Sequence, residues 1–480
     1  MKPLLIGGAW RDGGHALPNV NPSDLSDTID HYAQAGVQEC QEAVEAAAAA
    51  APIWARVSPL MRSDLLRLAG DEVMARREEL GEFLSREEGK IRREGVAEAT
   101  RAAQILHFFS GEALRLSGDR LASTRPGVEL ETPREPVGDV GIIAPWNFPL
   151  AIPTWKIAPA LAFGNAVVFK PAEYVPGCAW ALVDILQRAA VAVGAPEGVL
   201  NLVMGPGAVV GQALVDDRAV DAITFTGSVA TGARIGAACM ARMAKVQLEM
   251  GGKNPLVVLD DADLDAAVAC AVDGAFFSTG QRCTASSRLI VTEGVYSRFV
   301  EQIAERARAL RVDHALKPEA EIGPVAAESE LEKDLDWVAR ARSEGGALRA
   351  GGERLRRETD GYFMAPALIA DTTSDMAINQ EEVFGPVATV IRARDYEEAL
   401  HIANDTPFGL SAGICTTSLK HASHFKRNAV AGMVMVNLPT AGVDPHAPFG
   451  GRKASSYGPR EQGGAALEFF THLKTAYTQP

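Results

Sequence analysis

Aromatic side chains make up only 6% of the 480 residues, and cysteine is scarcer still, with six in all. The cysteines stand at 40, 178, 239, 270, 283 and 415, and no two have CxxC spacing. That excludes a zinc ribbon and a thioredoxin-like motif, and no metal site is expected. Sparse, irregular cysteine in a long chain points to a reducing compartment, so a cytoplasmic protein is expected. An excess of basic residues is also missing. Lys and Arg number 47 against 61 Asp and Glu, a formal net charge of −14, which excludes nucleic acid and anionic lipid as expected partners. Long apolar runs are absent too. The longest charge-free stretch, Gly198–Val215, carries four glycines and Pro206 and reads as strand, turn and helix, not as a membrane span. The opening MKPLLIGGAWRDGG is too weakly apolar for a signal peptide.

What remains is the composition of an ordinary globular protein, 47% hydrophobic and 22% charged, which rules out disorder and fibrous repeats. The length leaves room for about two to four domains. Residues 36–118 read as helical, with a near-continuous alanine run at Ala43–Ala51. From Asp139 short apolar runs alternate with amphipathic stretches: VGIIA, NAVVFK, VLNLVM, AITFTGS and KVQLEM, with helices between them. Ala208–Leu214 is one of those expected helices. The alternation resumes after Asn254 with NPLVVLD, SRLIVTE, PVATVIRA, GLSAGICT and AGMVMVN. Apolar strands alternating with helices predict α/β architecture with two parallel sheets covered on both faces. Asp119–Pro136 reads as a linker or hairpin, with which the strand-like LEFFTHLKTAYTQP can pair.

Several segments place reactive residue types on turns at strand ends. Cys283, in FFSTGQRCTASSR, falls on a glycine-containing turn before a strand. There a thiol can meet a ligand while its own N–H receives an oxyanion, and Arg282 beside it can favour the thiolate. A lone cysteine is nevertheless more often a buried structural thiol. Glu249, in QLEMGGKNP, ends an apolar strand, a setting that can raise a carboxylate pKa and suit it to general base work; a strand-end Glu facing water is the plainer alternative. Gly227 and Ser228, in FTGSVATG, form a strand–glycine–helix turn suited to a pyrophosphate, without the strict GxGxxG fingerprint. Lys170 and Glu173 follow the strand VVFK, where a carboxylate can accept from a ribose diol. Asn147 in PWNFP sits on a stiff loop, its amide able to donate to an oxyanion. EEVFGP joins acidic and aromatic residues at a Gly-Pro turn. Each of these segments, taken singly, also has an ordinary structural reading.

Together, PWNFP, KPAE, FTGS, LEMGGKNP, GQRC, EEVFGP and PFGG resemble the aldehyde dehydrogenase superfamily, in the family's order from residue 145 to 451. The resemblance implies Cys283 as nucleophile, Glu249 as the base that hydrolyses a thioester, and Asn147 as oxyanion donor. It implies NAD as cofactor, with NADP tolerated, held by Lys170, Glu173, Trp146, Gly227, Ser228, Glu382, Phe384 and Lys156. It implies a Rossmann-like cofactor domain of residues 1–118 and 138–250, a catalytic domain of 251–450, and a small β oligomerisation arm of 119–137 and 451–480. A homodimer or homotetramer follows from that arm. FFSTGQRCTASSRLIVTEG, NLPTAGVDPHAPFGGRKASSYGPREQG and NPSD further resemble α-ketoglutarate semialdehyde (2,5-dioxopentanoate) dehydrogenases. For such a substrate Arg101 and Arg282 are candidate anchors of the distal carboxylate, although Arg101 can instead pair with Glu98. Phe148, Trp155, Phe277 and Phe449 are candidate walls, with the Ala441–His446 loop. Competing readings are a succinate semialdehyde, aromatic or aliphatic aldehyde dehydrogenase, a cofactor-independent cysteine hydrolase, and a non-catalytic relative of the same fold. The hydrolase lacks a comparably placed histidine.

A 2′-phosphate beside Glu173 meets a like charge, and KPAEYVP contains no arginine to offset it. Initial-rate measurements are therefore expected to give a higher kcat/KM with NAD than with NADP; an equal or reversed ratio contradicts the Glu173 assignment.

Overall fold

The computed structural model describes residues 1–480. The alanine-rich region forms four helices, Val37–Trp54, Pro59–Ala75, Arg77–Glu88 and Arg92–Ala113. Their limits have local causes. Ser58 accepts from the Leu60 N–H at the start of the second. Gly89, in the left-handed conformation, stops the third. The buried faces of the helices are lined by Ala43, Ala47, Leu65, Leu66, Ala102 and Leu106, all without exposure.

These helices pack on an eight-stranded sheet. Its order is Ala9–Arg11, Leu4–Ile6, Leu200–Leu202, Ala166–Lys170, Asp139–Ile143, Ala222–Thr226, Lys245–Glu249 and Ser456–Tyr457. The five central strands run parallel. Of these five, the chain lays down Asp139–Ile143 first, builds outward on one side, then crosses to the other with Ala222–Thr226. The switch in direction opens a crevice beyond the carboxyl ends of those two strands, where doubly wound sheets bind ligands. PWNFP follows one of them and FTGS the other.

The second sheet has seven strands, in the order Ala347–Ala350, Ala367–Thr372, Val387–Ala393, Arg288–Thr292, Pro255–Val258, Ser411–Cys415 and Met433–Val436. Only its first pair is antiparallel. Asp119–Ala122 and Glu129–Thr132 form a hairpin that Ala476–Thr478 extends, and Thr471–Leu473 pairs with Arg134–Pro136. The C-terminal segment therefore joins the 119–136 region, as its composition suggests.

Three features differ from the sequence reading. Residues 451–470 do not separate from the first sheet: Ser456–Tyr457 pairs with its edge, and Ala466, Phe469 and Phe470 enter its core. The arm thus begins near Thr471, because the preceding segment is too apolar to leave that core. The expected helix at Ala208–Leu214 opens with a π-helical turn, Gly207–Gly211, before one α turn, Gln212–Asp216. The hairpin His15–Asn21 with Asp24–Gln34 is an addition. Helix Pro176–Val193 is long and apolar enough to cross a membrane, but its apolar face packs into the first core.

Candidate active site

Cys283 lies beyond the helix Leu264–Phe276, after a turn with an unusual backbone. Ser278, Thr279 and Gly280 have φ of 50°, 56° and 65°, three successive left-handed residues. Two of them carry side chains, a strain of about 1–3 kcal/mol each that the surroundings must hold. Gly280 is required, since a Cβ there would sit 2.1 Å from the carbonyl oxygen of Gly385. Glu94 accepts from the Ser278 N–H at 2.9 Å. Beyond the thiol, the Asn254 amide donates to the carbonyls of Cys283 and Ala285 at 2.8 and 2.9 Å.

Two cavities meet at the thiol, and Cys283 is the one residue that lines both. The smaller, about 160 Å³, fills the crevice of the first sheet and is walled by Trp146, Asn147, Thr226, Gly227, Ser228, Glu382 and Phe384. Trp146 and Phe384 meet edge to face, 5.4 Å between ring centres. Ser228 caps the helix Val229–Ala241, whose first N–H groups offer a positive end to an anion. The Thr226 hydroxyl is buried without a partner. Gly251 leaves room for Glu382, whose carboxylate would lie 2.1 Å from a Cβ there. At the neighbouring strand end, Glu173 accepts from the Gly207 N–H at 2.8 Å, and Lys170 stands beside it without a carboxylate in ion-pairing range. This glycine-lined cradle with an orphaned hydroxyl and a free cation fits a dinucleotide. The larger cavity, about 440 Å³, opens on the other side of the thiol, between Phe148, Trp155 and Phe449 and the charged residues Lys90, Arg101 and Arg282.

The Asn147 side-chain amide donates to the Gln281 carbonyl at 2.9 Å, which aims it at the cysteine turn and leaves its second N–H uncommitted. Glu249 is buried, and its carboxylate accepts from the Ser456 hydroxyl at 2.6 Å. Burial, with the nearby Glu461 carboxylate, pushes its pKa well above the usual range, against the opposing pull of Ser456. Burial also pushes the Cys283 thiol up, reinforced by the Glu382 and Glu249 carboxylates. Glu382 is itself pushed up to about 7, chiefly by burial.

Several candidates stand elsewhere than expected. Lys156 does not line the crevice. It is fully buried, paired with Glu461 and bonded to Thr224 at 2.8 Å. Arg282 does not activate the thiol: its guanidinium is spent on the carbonyls of Phe277 and Asp273, at 2.9 and 3.0 Å, bracing the end of the preceding helix. Phe277 lies outside the larger cavity, under the guanidinium of Arg93. Arg101 does not pair with Glu98; it donates to the Val443 carbonyl and to Gln462. The residues that sequence reasoning passed over are Lys90, Glu94, Ser456 and Glu461. Lys90 follows the left-handed Gly89, but none of the four ends or follows an apolar strand run that would mark it.

The model of the aldehyde dehydrogenase family matches residues 10–476, and the chain belongs to that family. It is 43% identical over 479 residues to the α-ketoglutaric semialdehyde dehydrogenase of Bacillus subtilis, covering 99% of this chain and 97% of that one. It is 39% identical to the 2,5-dioxopentanoate dehydrogenase of Saccharolobus solfataricus, covering 98% and 97%. Among solved structures, betaine aldehyde dehydrogenase of Staphylococcus aureus in complex with NAD+ superposes with a TM-score of 0.96 at 31% identity, covering 100% of this chain and 95% of that one.

The charge environment of the thiol is measurable. Alkylation of Cys283 by iodoacetamide is expected to keep accelerating with pH through 9, its ordinary thiol value, without a plateau. Removing a negative neighbour lowers a thiol pKa, so Glu382→Gln should speed alkylation above about pH 7, where Glu382 is charged, and leave it unchanged below. Peptide mass spectrometry against time gives the rates; identical profiles contradict the coupling.

Proposed function

We propose that the protein oxidises α-ketoglutarate semialdehyde to α-ketoglutarate, with NAD as cofactor. The observation that carries the substrate assignment is Arg101. Its guanidinium lines the larger cavity with no carboxylate in ion-pairing range, and its buried Nε has no partner. Burial makes its charge costly, and only the more distant Glu98, Asp444 and Cys283 favour it. A substrate carboxylate supplies the missing anion through charge-assisted hydrogen bonds. Trp155 and Phe449, 5.4 Å apart between ring centres, give the aliphatic part of the substrate an apolar wall.

The geometry supports a reaction in which the Cys283 thiol gives its proton to solvent water and its sulfur bonds to the aldehyde carbon as the carbonyl π bond breaks. The carbonyl oxygen becomes an oxyanion, received by the free N–H of the Asn147 amide and the Cys283 main-chain N–H. Lys170, Glu173, Gly227, Ser228, Glu382, Phe384 and Trp146 are the residues that would hold NAD, which when bound supplies the hydride acceptor. The acyl group is then a thioester on Cys283. Glu249 takes a proton from a water molecule, the hydroxyl attacks the thioester, and the carbon–sulfur bond breaks to release the acid. The raised pKa of Glu249 gives it the proton affinity a base needs.

The reading includes a homo-oligomer built through the arm. Leu121, Leu473 and Tyr477 support it, being 49%, 58% and 58% exposed on the arm. Six free cysteines, none in a disulfide, agree with a reducing cytoplasm.

Two measurements test the proposal. NADH absorbance is followed with α-ketoglutarate semialdehyde, succinate semialdehyde and benzaldehyde. Arg101→Ala should raise KM about ten- to a hundred-fold for the acidic substrate and spare benzaldehyde, the value of one or more charged hydrogen bonds; equal losses mean that Arg101 is structural. The second concerns the base. If deacylation limits turnover, kcat rises as Glu249 deprotonates. Ser456 holds that pKa down, so Ser456→Ala should carry the rising limb of the pH profile to higher pH. An unmoved limb removes Glu249 from the step.

A further inference from the structure

Helix Arg92–Ala113 carries Glu94, Glu98 and Arg101 at helical spacing, so they share one side. Each grips a different segment around the larger cavity: Glu94 the cysteine turn, Arg101 the loop at Val443, and Glu98 the segment Asn147–Ala151. The last grip is the most elaborate. One Glu98 oxygen accepts from the N–H groups of Leu150 and Ala151, at 2.8 and 3.1 Å. Its other oxygen accepts from the Lys90 ammonium at 2.8 Å. Lys90 also donates to the main-chain carbonyl of Asn147 at 2.7 Å and stands 3.8 Å from the centre of the Phe148 ring. Both charged side chains are 1% exposed.

One buried ion pair therefore fixes this short segment at its first carbonyl, its aromatic ring and two amides. The side-chain amide of Asn147 leaves the backbone beside that first carbonyl. Both Glu98 oxygens and two of the three Lys90 N–H groups are engaged in these contacts, and Glu88, 3.9 Å from the ammonium, is a second buried carboxylate beside it. We propose that Lys90 and Glu98 are positioning residues that hold the Asn147 amide where the oxyanion of the Cys283 adduct develops. The proposal rests on the reading of Asn147 as oxyanion donor. A shift of about 1 Å in such a donor can cost on the order of a hundred-fold in rate, and loss of one donor costs about 10²–10³ in kcat.

The test is a double-mutant cycle on the full-length enzyme with saturating NAD. Lys90→Met and Glu98→Gln are made alone and together with Asn147→Ala. Lys90→Met should lower kcat about ten- to a hundred-fold, raise KM less than about threefold, and expose an isotope effect with aldehyde deuterated at the reacting carbon. In the Asn147→Ala background the same substitution should change kcat less than about twofold, because the donor it serves is gone. Glu98→Gln keeps an oxygen for the two amides but loses the charge pair; it should give a smaller loss that also disappears without Asn147, and it carries the cycle if circular dichroism shows Lys90→Met unfolded. Losses of equal size in both backgrounds, or losses confined to KM, overturn the proposal. Full kcat in Asn147→Ala alone instead refutes the oxyanion reading, so the two failures are distinguishable.

Discussion

The ion pair between Lys156 and Glu461 has almost no exposure on either side, 0% and 2%. It joins the helix Ala151–Ala162 to the segment that follows the last long strand of the second sheet. Burying two charges is costly, and removing one partner of such a pair typically destabilises by about 3–5 kcal/mol. Here the pair also organises its neighbours. The second Glu461 oxygen accepts from the Trp155 indole at 2.6 Å, and its backbone pairs with Phe449. Two walls of the larger cavity therefore depend on one residue, Trp155 through its carboxylate and Phe449 through its backbone. The same carboxylate raises the proton affinity of Glu249. Shape on one side of the thiol and acid–base character behind it are thus set by a single residue without contact with the substrate.

The second organising fact is the position of Cys283 where two cavities touch. A substrate and a dinucleotide entering from opposite sides can meet only at that sulfur, so the architecture imposes order on the chemistry without a moving part. The strained turn makes this possible. Three consecutive left-handed residues reverse the chain within a few ångströms of the preceding helix, and Glu94, Arg282 and Asn254 hold it there. Burial, with the Glu382 and Glu249 carboxylates, raises the thiol pKa above its ordinary value.

The architecture was legible because parallel strands buried on both faces are near-continuous apolar runs, and AVVFK, AITFT and RLIVT could be little else. Cys283, Glu249 and Asn147 stood out for a related reason: Cys283 precedes such a run, Glu249 ends one and Asn147 follows one, each beside glycine or proline. Lys90, Glu98 and Glu461 gave no such sign. In sequence they are ordinary charges within REEGK, a helix and a loop, and only the fold takes them out of water. Lys156 was noticed by resemblance, but pattern alone does not distinguish a cation that faces a cofactor from one that neutralises a buried acid. The hairpin at His15–Gln34 was missed because its polar, turn-rich sequence lacks a clear alternation.

The sequence distance between Lys156 and Glu461, 305 residues, bears on how the molecule is made. At roughly 5–20 residues per second of synthesis, Lys156 precedes its partner by about 15 to 60 seconds. From Glu249 onward the first sheet has seven of its eight strands yet still lacks the carboxylate that neutralises its interior ammonium. Until Glu461 is made, that ammonium has the Thr224 hydroxyl but no carboxylate to pair with. The segment that carries Glu461 also carries Ser456 and Phe449, so the partner of Glu249 and a wall of the larger cavity are synthesised together, after the residues that line the crevice.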